Sequence, residues 1–183
     1  MQESGVRSQE SEFIPHPYTP YPKTQMLSGA LFDPTHTYRY TLWREWDATL
    51  QRIAFVMLNP STADATVNDP TIHRCVRFAQ TWGYGAVEVV NLFAYRTPSP
   101  TVLRNALDPV GEDNDRHLLA AANQADRIVL AWGNWGTLHQ RDRAVIQLLA
   151  HHSHLYCFGH NQSGQPRHPL YIRGDAPLLW WNP

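Results

Sequence analysis

Ile53-Ala54-Phe55-Val56-Met57-Leu58-Asn59-Pro60-Ser61 decides how this chain is read. The unbroken apolar run from Ile53 to Leu58 is too short for a buried helix and is closed by an Asn-Pro turn. It reads as a strand buried on both faces, which is the habit of strands in a parallel sheet. The same texture returns at Ala86 to Val90, Ile128 to Ala131 and Leu155 to Phe158. A polar motif follows three of the runs, at Met57-Leu58-Asn59-Pro60-Ser61, Val89-Val90-Asn91-Leu92-Phe93 and Leu130-Ala131-Trp132-Gly133. A fourth, Arg167-His168-Pro169-Leu170, lies in the last large loop. Open α/β sheets bind ligands in the crevice beyond the carboxyl ends of their strands. Asn59, Asn91, Trp132 and His168 are therefore expected to converge on one side of the molecule.

Helical patterns separate the runs. Asp69 suits an N-cap and Pro70 a first helical residue, with Ile72, Val76, Phe78-Ala79 and Trp82 as an apolar stripe and Gly83 as the stop. Glu112 to Asn123 reads as a second helix, with Leu118, Leu119 and Ala122 inward. Leu138 to His151 reads as a third, with Val145, Leu148 and Leu149 inward. Thr97-Pro98-Ser99-Pro100 reads as an extended loop, and Leu178 to Trp181 as a closing edge element. Ahead of the first buried strand, Ala30 to Phe32 and Tyr38 to Trp43 form the arms of a β-hairpin about a turn at Asp33-Pro34-Thr35-His36. In its second arm Tyr38, Tyr40 and Leu42 alternate with Arg39, Thr41 and Trp43. The expectation is a three-layer α/β sandwich with a mainly parallel central sheet of about four strands plus an N-terminal hairpin. Residues 25–183 form one α/β domain, and 1–24 a polar, proline-rich tail.

Composition narrows the functional classes. The 183 residues carry a formal net charge of −1, so no global field draws the protein to nucleic acid or an anionic membrane. Lys23 is the sole lysine, and the remaining basic residues are arginines. Cys75 and Cys157 alone make neither a disulfide framework nor a four-cysteine metal site. No run approaches the ~20 apolar residues that span a bilayer, and the N-terminus does not read as a signal peptide. A soluble cytoplasmic protein is expected.

The polar motifs carry the candidate chemistry. An Asn amide offers a donor and an acceptor side by side, so Asn91 can read a nucleobase edge, and Asn59 can fix a water or a polar ligand. Pro60 stiffens that turn, and Ser61 adds a hydroxyl. Phe93 offers a flat surface for stacking, Trp132-Gly133 a close backbone approach, and Arg167 a phosphate contact. His168, held between Pro166 and Pro169, can donate to a developing anion. Each has a plainer reading as turn or core chemistry. Asp69 is more simply a cap than a metal ligand beside Asp64 and His73, and the histidines from His151 to His160 match no zinc spacing. Neither a metal nor a cofactor is implied, and the dinucleotide-binding glycine fingerprint is absent.

Laid in order, these motifs resemble two families. From about Ser28 to Trp181 the chain is similar to a family of small bacterial and phage domains of unknown function. Arg39-Tyr40, Asn68-Asp69-Pro70-Thr71 and Pro166-Arg167-His168-Pro169-Leu170 join the motifs above as its hallmarks. More distantly, Asn59-Pro60, Val89-Val90-Asn91, Leu130-Ala131-Trp132-Gly133 and His168-Pro169 resemble the ordered motifs of the uracil-DNA glycosylase superfamily. That resemblance implies a glycosylase-like hydrolase acting on a modified or deaminated base. In it Asn59 positions water, Asn91 reads the base and His168 stabilises the leaving group, with the remaining motif residues binding substrate. Many superfamily members have Asp where this chain has Asn59, and an amide cannot act as a general base. The implied partner is a nucleobase, a nucleotide or a nucleic acid end. Two alternatives stay open: a non-catalytic module that senses a modified nucleotide or nucleic acid end, and a protein-interaction domain using the aromatic hairpin, Tyr38 to Trp46.

Overall fold

In the computed structural model, which describes residues 26–181, every strand joins a single sheet. In chain order the strands are β1 (Leu27–Phe32), β2 (Arg39–Glu45), β3 (Arg52–Met57), β4 (Ala86–Asn91), β5 (Arg127–Leu130), β6 (Leu155–Cys157) and β7 (Leu179–Trp180). Across the sheet they lie β1-β2-β4-β3-β5-β6-β7. The four inner strands, β4, β3, β5 and β6, run parallel. The tail read over residues 1–24 lies outside the described residues.

With seven strands the sheet is larger than the four or so expected. The hairpin is not an appendage: β2 pairs antiparallel with β4, Leu42 opposite Val89, and β7 covers the outer edge of β6. Both additions pair backbone groups that an exposed parallel edge would leave open.

Helices α1 (Pro70–Thr81), α2 (Pro100–Asn105), α3 (Asn114–Gln124) and α4 (Arg141–Leu148) complete the fold. Side chains alternate across the pleat, so each buried strand feeds two cores. Ile53, Phe55 and Met57, with Val87, Val89 and Val129, pack on Ile72, Cys75, Phe78 and Ala79 of α1. Val56, Val90, Ile128 and Leu130 pack on Leu118 and Ala122 of α3 and Val145 of α4. Helices thus lie on opposite faces of the sheet. Among the described residues no helix is long and apolar enough to cross a membrane.

Local departures have local causes. The expected helix from Leu138 to His151 begins only at Arg141, because Leu138 has ψ 125° and His139 and Gln140 have φ 52° and 55°. Those left-handed conformations stop a right-handed helix from extending backwards. Pro100, read as loop, instead opens α2, with Ser99 capping the Val102 N–H at 3.4 Å. In the hairpin, Leu31 pairs with Thr41 and Phe32 with Arg39, so Tyr40 is an extra residue. This β-bulge breaks the alternation read from the sequence. Leu42 stays in the α1-side core, whereas Tyr40 stacks on His117 of α3 at 5.0 Å. Tyr40, Leu42 and Trp46 are buried, so these hairpin residues serve the interior.

Candidate functional site

A cleft of about 440 Å³ opens at the carboxyl ends of β3, β4 and β5. Chain order reverses direction here: β4 lies on one side of β3 and β5 on the other. Such a switch point parts the loops and leaves a crevice. Asn59, Ser61, Asn91, Trp132 and His168 all line it, although they are far apart in sequence.

Asn91 ends β4, paired with Met57 at the end of β3. It is 1 % exposed, and among the described residues neither its Oδ1 nor its Nδ2 has a hydrogen-bond partner. Its backbone carbonyl, by contrast, accepts from Asn114 Nδ2 at 3.0 Å. A buried, unpaired amide is costly, so one that persists calls for an explanation.

Asn59 is tied down on one side only. Its Nδ2 donates to the carbonyls of Pro60, Tyr95 and Thr97 at 3.0, 3.3 and 2.7 Å. Its Oδ1 takes no hydrogen bond from the described residues. The amide orientation is therefore fixed, with the acceptor left for a ligand or water.

Trp132 Nε1 donates to Gln165 Oε1 at 2.6 Å, and Gln165 Nε2 donates to Asp142 Oδ2 at 2.9 Å, so one chain of bonds sets the indole. Gly133 follows with φ 75°, and its N–H donates to the carbonyl of Pro166 at 3.0 Å. That conformation favours glycine, and it docks the turn after β5 onto the loop carrying His168. Arg74 of α1 donates to the carbonyls of Pro169 and Ile172 and fixes the other end of that loop.

His168 accepts the Leu170 N–H on Nδ1 at 3.3 Å, which places the ring proton on Nε2. Burial lowers its pKa from 6.5 to about 4, against a smaller opposing effect of Asp69. The imidazole is thus a neutral N–H donor at neutral pH.

Three residues expected at the site lie elsewhere. Phe93 is wholly buried in the core on the α3 side and presents no stacking surface to the cleft. Pro60 is buried, and its carbonyl accepts from the Thr97 N–H at 2.9 Å. Arg167 is exposed and lines a neighbouring groove with Phe158 and Arg173. Arg96 donates to the carbonyl of Ser61 at 3.1 Å, and Arg173 pairs with Asp175.

Trp135, Tyr171, Asp69 and Arg39 also line the cleft, without a signal in the sequence that marks them for it. Trp135 and Tyr171 give it exposed aromatic surface, at 42 % and 79 % exposure. Asp69 caps α1, its Oδ1 accepting from the Ile72 N–H at 2.9 Å, and is the one carboxylate among the described lining residues. Arg39 faces the cleft because the bulge at Tyr40 shifts the alternation of β2. Only the pairing register carries that information. No group of three or more His, Cys, Asp or Glu among the described residues is placed to hold a metal ion.

Sheet order, helices on both faces and a polar cleft at the switch point define a doubly wound α/β domain. The chain belongs to the family described as "Protein of unknown function (DUF1643)", whose model matches residues 39–170. The match begins at Arg39 and ends at Leu170, both of which line the cleft. No curated protein matches, and no solved structure does.

Proposed function

We propose that the cleft binds a nucleobase, free or within a nucleotide or nucleic acid end. We further propose that the protein hydrolyses the N-glycosidic bond of a modified or deaminated base, in the manner of the uracil-DNA glycosylase superfamily. The observation that carries this reading is the Asn91 amide, buried at the cleft with donor and acceptor both unpaired. A heterocycle with an adjacent N–H and carbonyl satisfies both at once. Trp135 and Tyr171 supply aromatic faces for its ring.

In the reaction, water adds to the sugar carbon as the carbon–nitrogen bond breaks and its electron pair leaves with the base. The neutral His168 donates Nε2–H to an oxygen of that base as negative charge develops. Asn59 Oδ1 orients the water, and Asp69 is the carboxylate at hand for its proton.

A second reading, a module that holds a modified nucleotide without cleaving it, is favoured by one observation. The residue after β3 is an amide whose nitrogen is engaged with three loop carbonyls, not a free carboxylate.

A base-release assay on oligonucleotides and nucleotides bearing deaminated or modified bases tests the proposal, with His168→Ala as control. Release that falls at least about a hundredfold in the variant, the scale of lost general acid or electrostatic stabilisation, supports it. Ligand-induced thermal stabilisation without release supports the second reading. Neither release nor stabilisation contradicts both.

A further inference from the structure

Arg39 is the one guanidinium among the described residues lining the cleft, and it is 2 % exposed. Its Nη1 donates to the carbonyl of Ala63 at 2.9 Å. Its Nε–H is buried without a partner, and among the described residues Arg39 makes no ion pair. Of the buried side chains with an unpartnered polar atom, Arg39 and Asn91 are the ones on this cleft, carried by the adjacent strands β2 and β4. Asp69 and Asp64 act on Arg39 only from beyond ion-pairing distance, and burial outweighs them; a buried cation with no carboxylate in contact is costly to keep, and an anion supplied by a ligand offsets that cost.

The bulge strengthens the case. A regular β2 would direct Arg39 and Leu42 to opposite faces; the extra residue at Tyr40 brings both to the α1 side. Bulges re-aim side chains in this way next to ligand sites. The neutral His168 brings only a dipole and Asp69 a negative charge, so Arg39, on which Asp69 acts from a distance, is the one cationic side chain among the described lining residues that can meet negative charge on a ligand.

We propose that Arg39 binds the anionic form of the heterocycle held by Asn91, so the site's ligands are bases whose ring N–H is acidic. This rests on the nucleobase reading above and adds a residue that touches the leaving group. When the carbon–nitrogen bond breaks, the electron pair stays on the base and delocalises onto its ring oxygens. Arg39 Nε–H donates to that charge and transfers no proton; water contributes hydroxide to the sugar carbon and releases its proton.

Calorimetric titration with two free bases, uracil and 5-fluorouracil, tests this above pH 6.5, where His168 stays neutral, and below the range in which uracil itself ionises. The fluorine makes the ring N–H more acidic, so 5-fluorouracil ionises within this window whereas uracil stays largely neutral. For wild type, affinity for 5-fluorouracil is expected to rise about 10- to 100-fold as it ionises, the scale of a charge-assisted hydrogen bond. Uracil binding stays flat. Arg39→Gln loses the rise, whereas Arg39→Lys, which keeps the charge, retains part of it. If Arg39→Gln fails to fold, the wild-type contrast and the lysine variant still decide. Equal wild-type affinity for the ionised and neutral forms, or an undiminished rise in Arg39→Gln, overturns the role of Arg39 and leaves the nucleobase reading standing. Absence of any binding of either base by wild type overturns both.

Discussion

A methyl group on Gly136 would stand 2.2 Å from Cδ1 and 2.3 Å from Nε1 of Trp132. The same methyl would meet Gln165 Oε1, the acceptor of the indole N–H, at 2.7 Å. One wall of the cleft therefore depends on a missing side chain in the following turn. Gly136→Ala is expected to cost about 1–3 kcal/mol, as overpacking does. It should also displace the indole from Gln165. Chemical denaturation and the Trp132 indole N–H resonance measure both effects; an unchanged resonance with unchanged stability would show that the wall tolerates a side chain.

Asn59→Asp reverses the polarity of a group that faces three carbonyl oxygens. The variant loses three donations and sets a carboxylate against three acceptors. A loss of about 2–4 kcal/mol follows from unsatisfied buried groups and charge. Asn59→Ala should lose less, because it removes the donors without adding the charge. Urea denaturation of the two variants gives the order, and an Asp variant as stable as wild type would contradict the assignment.

His168 gives the folded protein a dependence on acid. The unfolded chain takes up its proton near pH 6.5, whereas burial delays uptake in the fold to about pH 4. In between, the unfolded state binds more protons, so this contribution is complete above the unfolded pKa and is lost as pH falls towards 4. With solvent screening at a partly open site, the loss is on the order of 1–2 kcal/mol. Burial also lowers the pKa of His117, so the quantity to measure is the difference between wild type and His168→Asn across this window. The two stabilities should converge on acidification; parallel curves would count against a buried neutral imidazole.

Much of the frame was legible in the sequence, for physical reasons. Ile53 to Met57 and Ala86 to Val90 are buried on both faces, which leaves short and almost wholly apolar runs, and Asp69-Pro70 marks a helix start that nothing overrides. Asn59, Asn91 and His168 could be placed near one another because strand ends in a parallel sheet share a side. Other features lay in pairing or backbone angles. Register puts Arg39 in the cleft through an extra residue that no periodicity marks. The positive φ at His139 and Gln140 is invisible in side chains whose pattern still suits a helix. Phe93 follows Asn91 by two positions, but past the strand end alternation no longer dictates direction, and the ring turns into the α3-side core.

Asn91→Leu separates a side chain kept polar for a ligand from one kept polar for the fold. Replacing an unpaired amide with an apolar group of similar shape should leave the melting temperature unchanged or raise it. The same change should abolish the stabilisation that nucleobases or nucleotides give the wild type. A variant that melts well below wild type, or that binds those ligands as wild type does, would contradict the account.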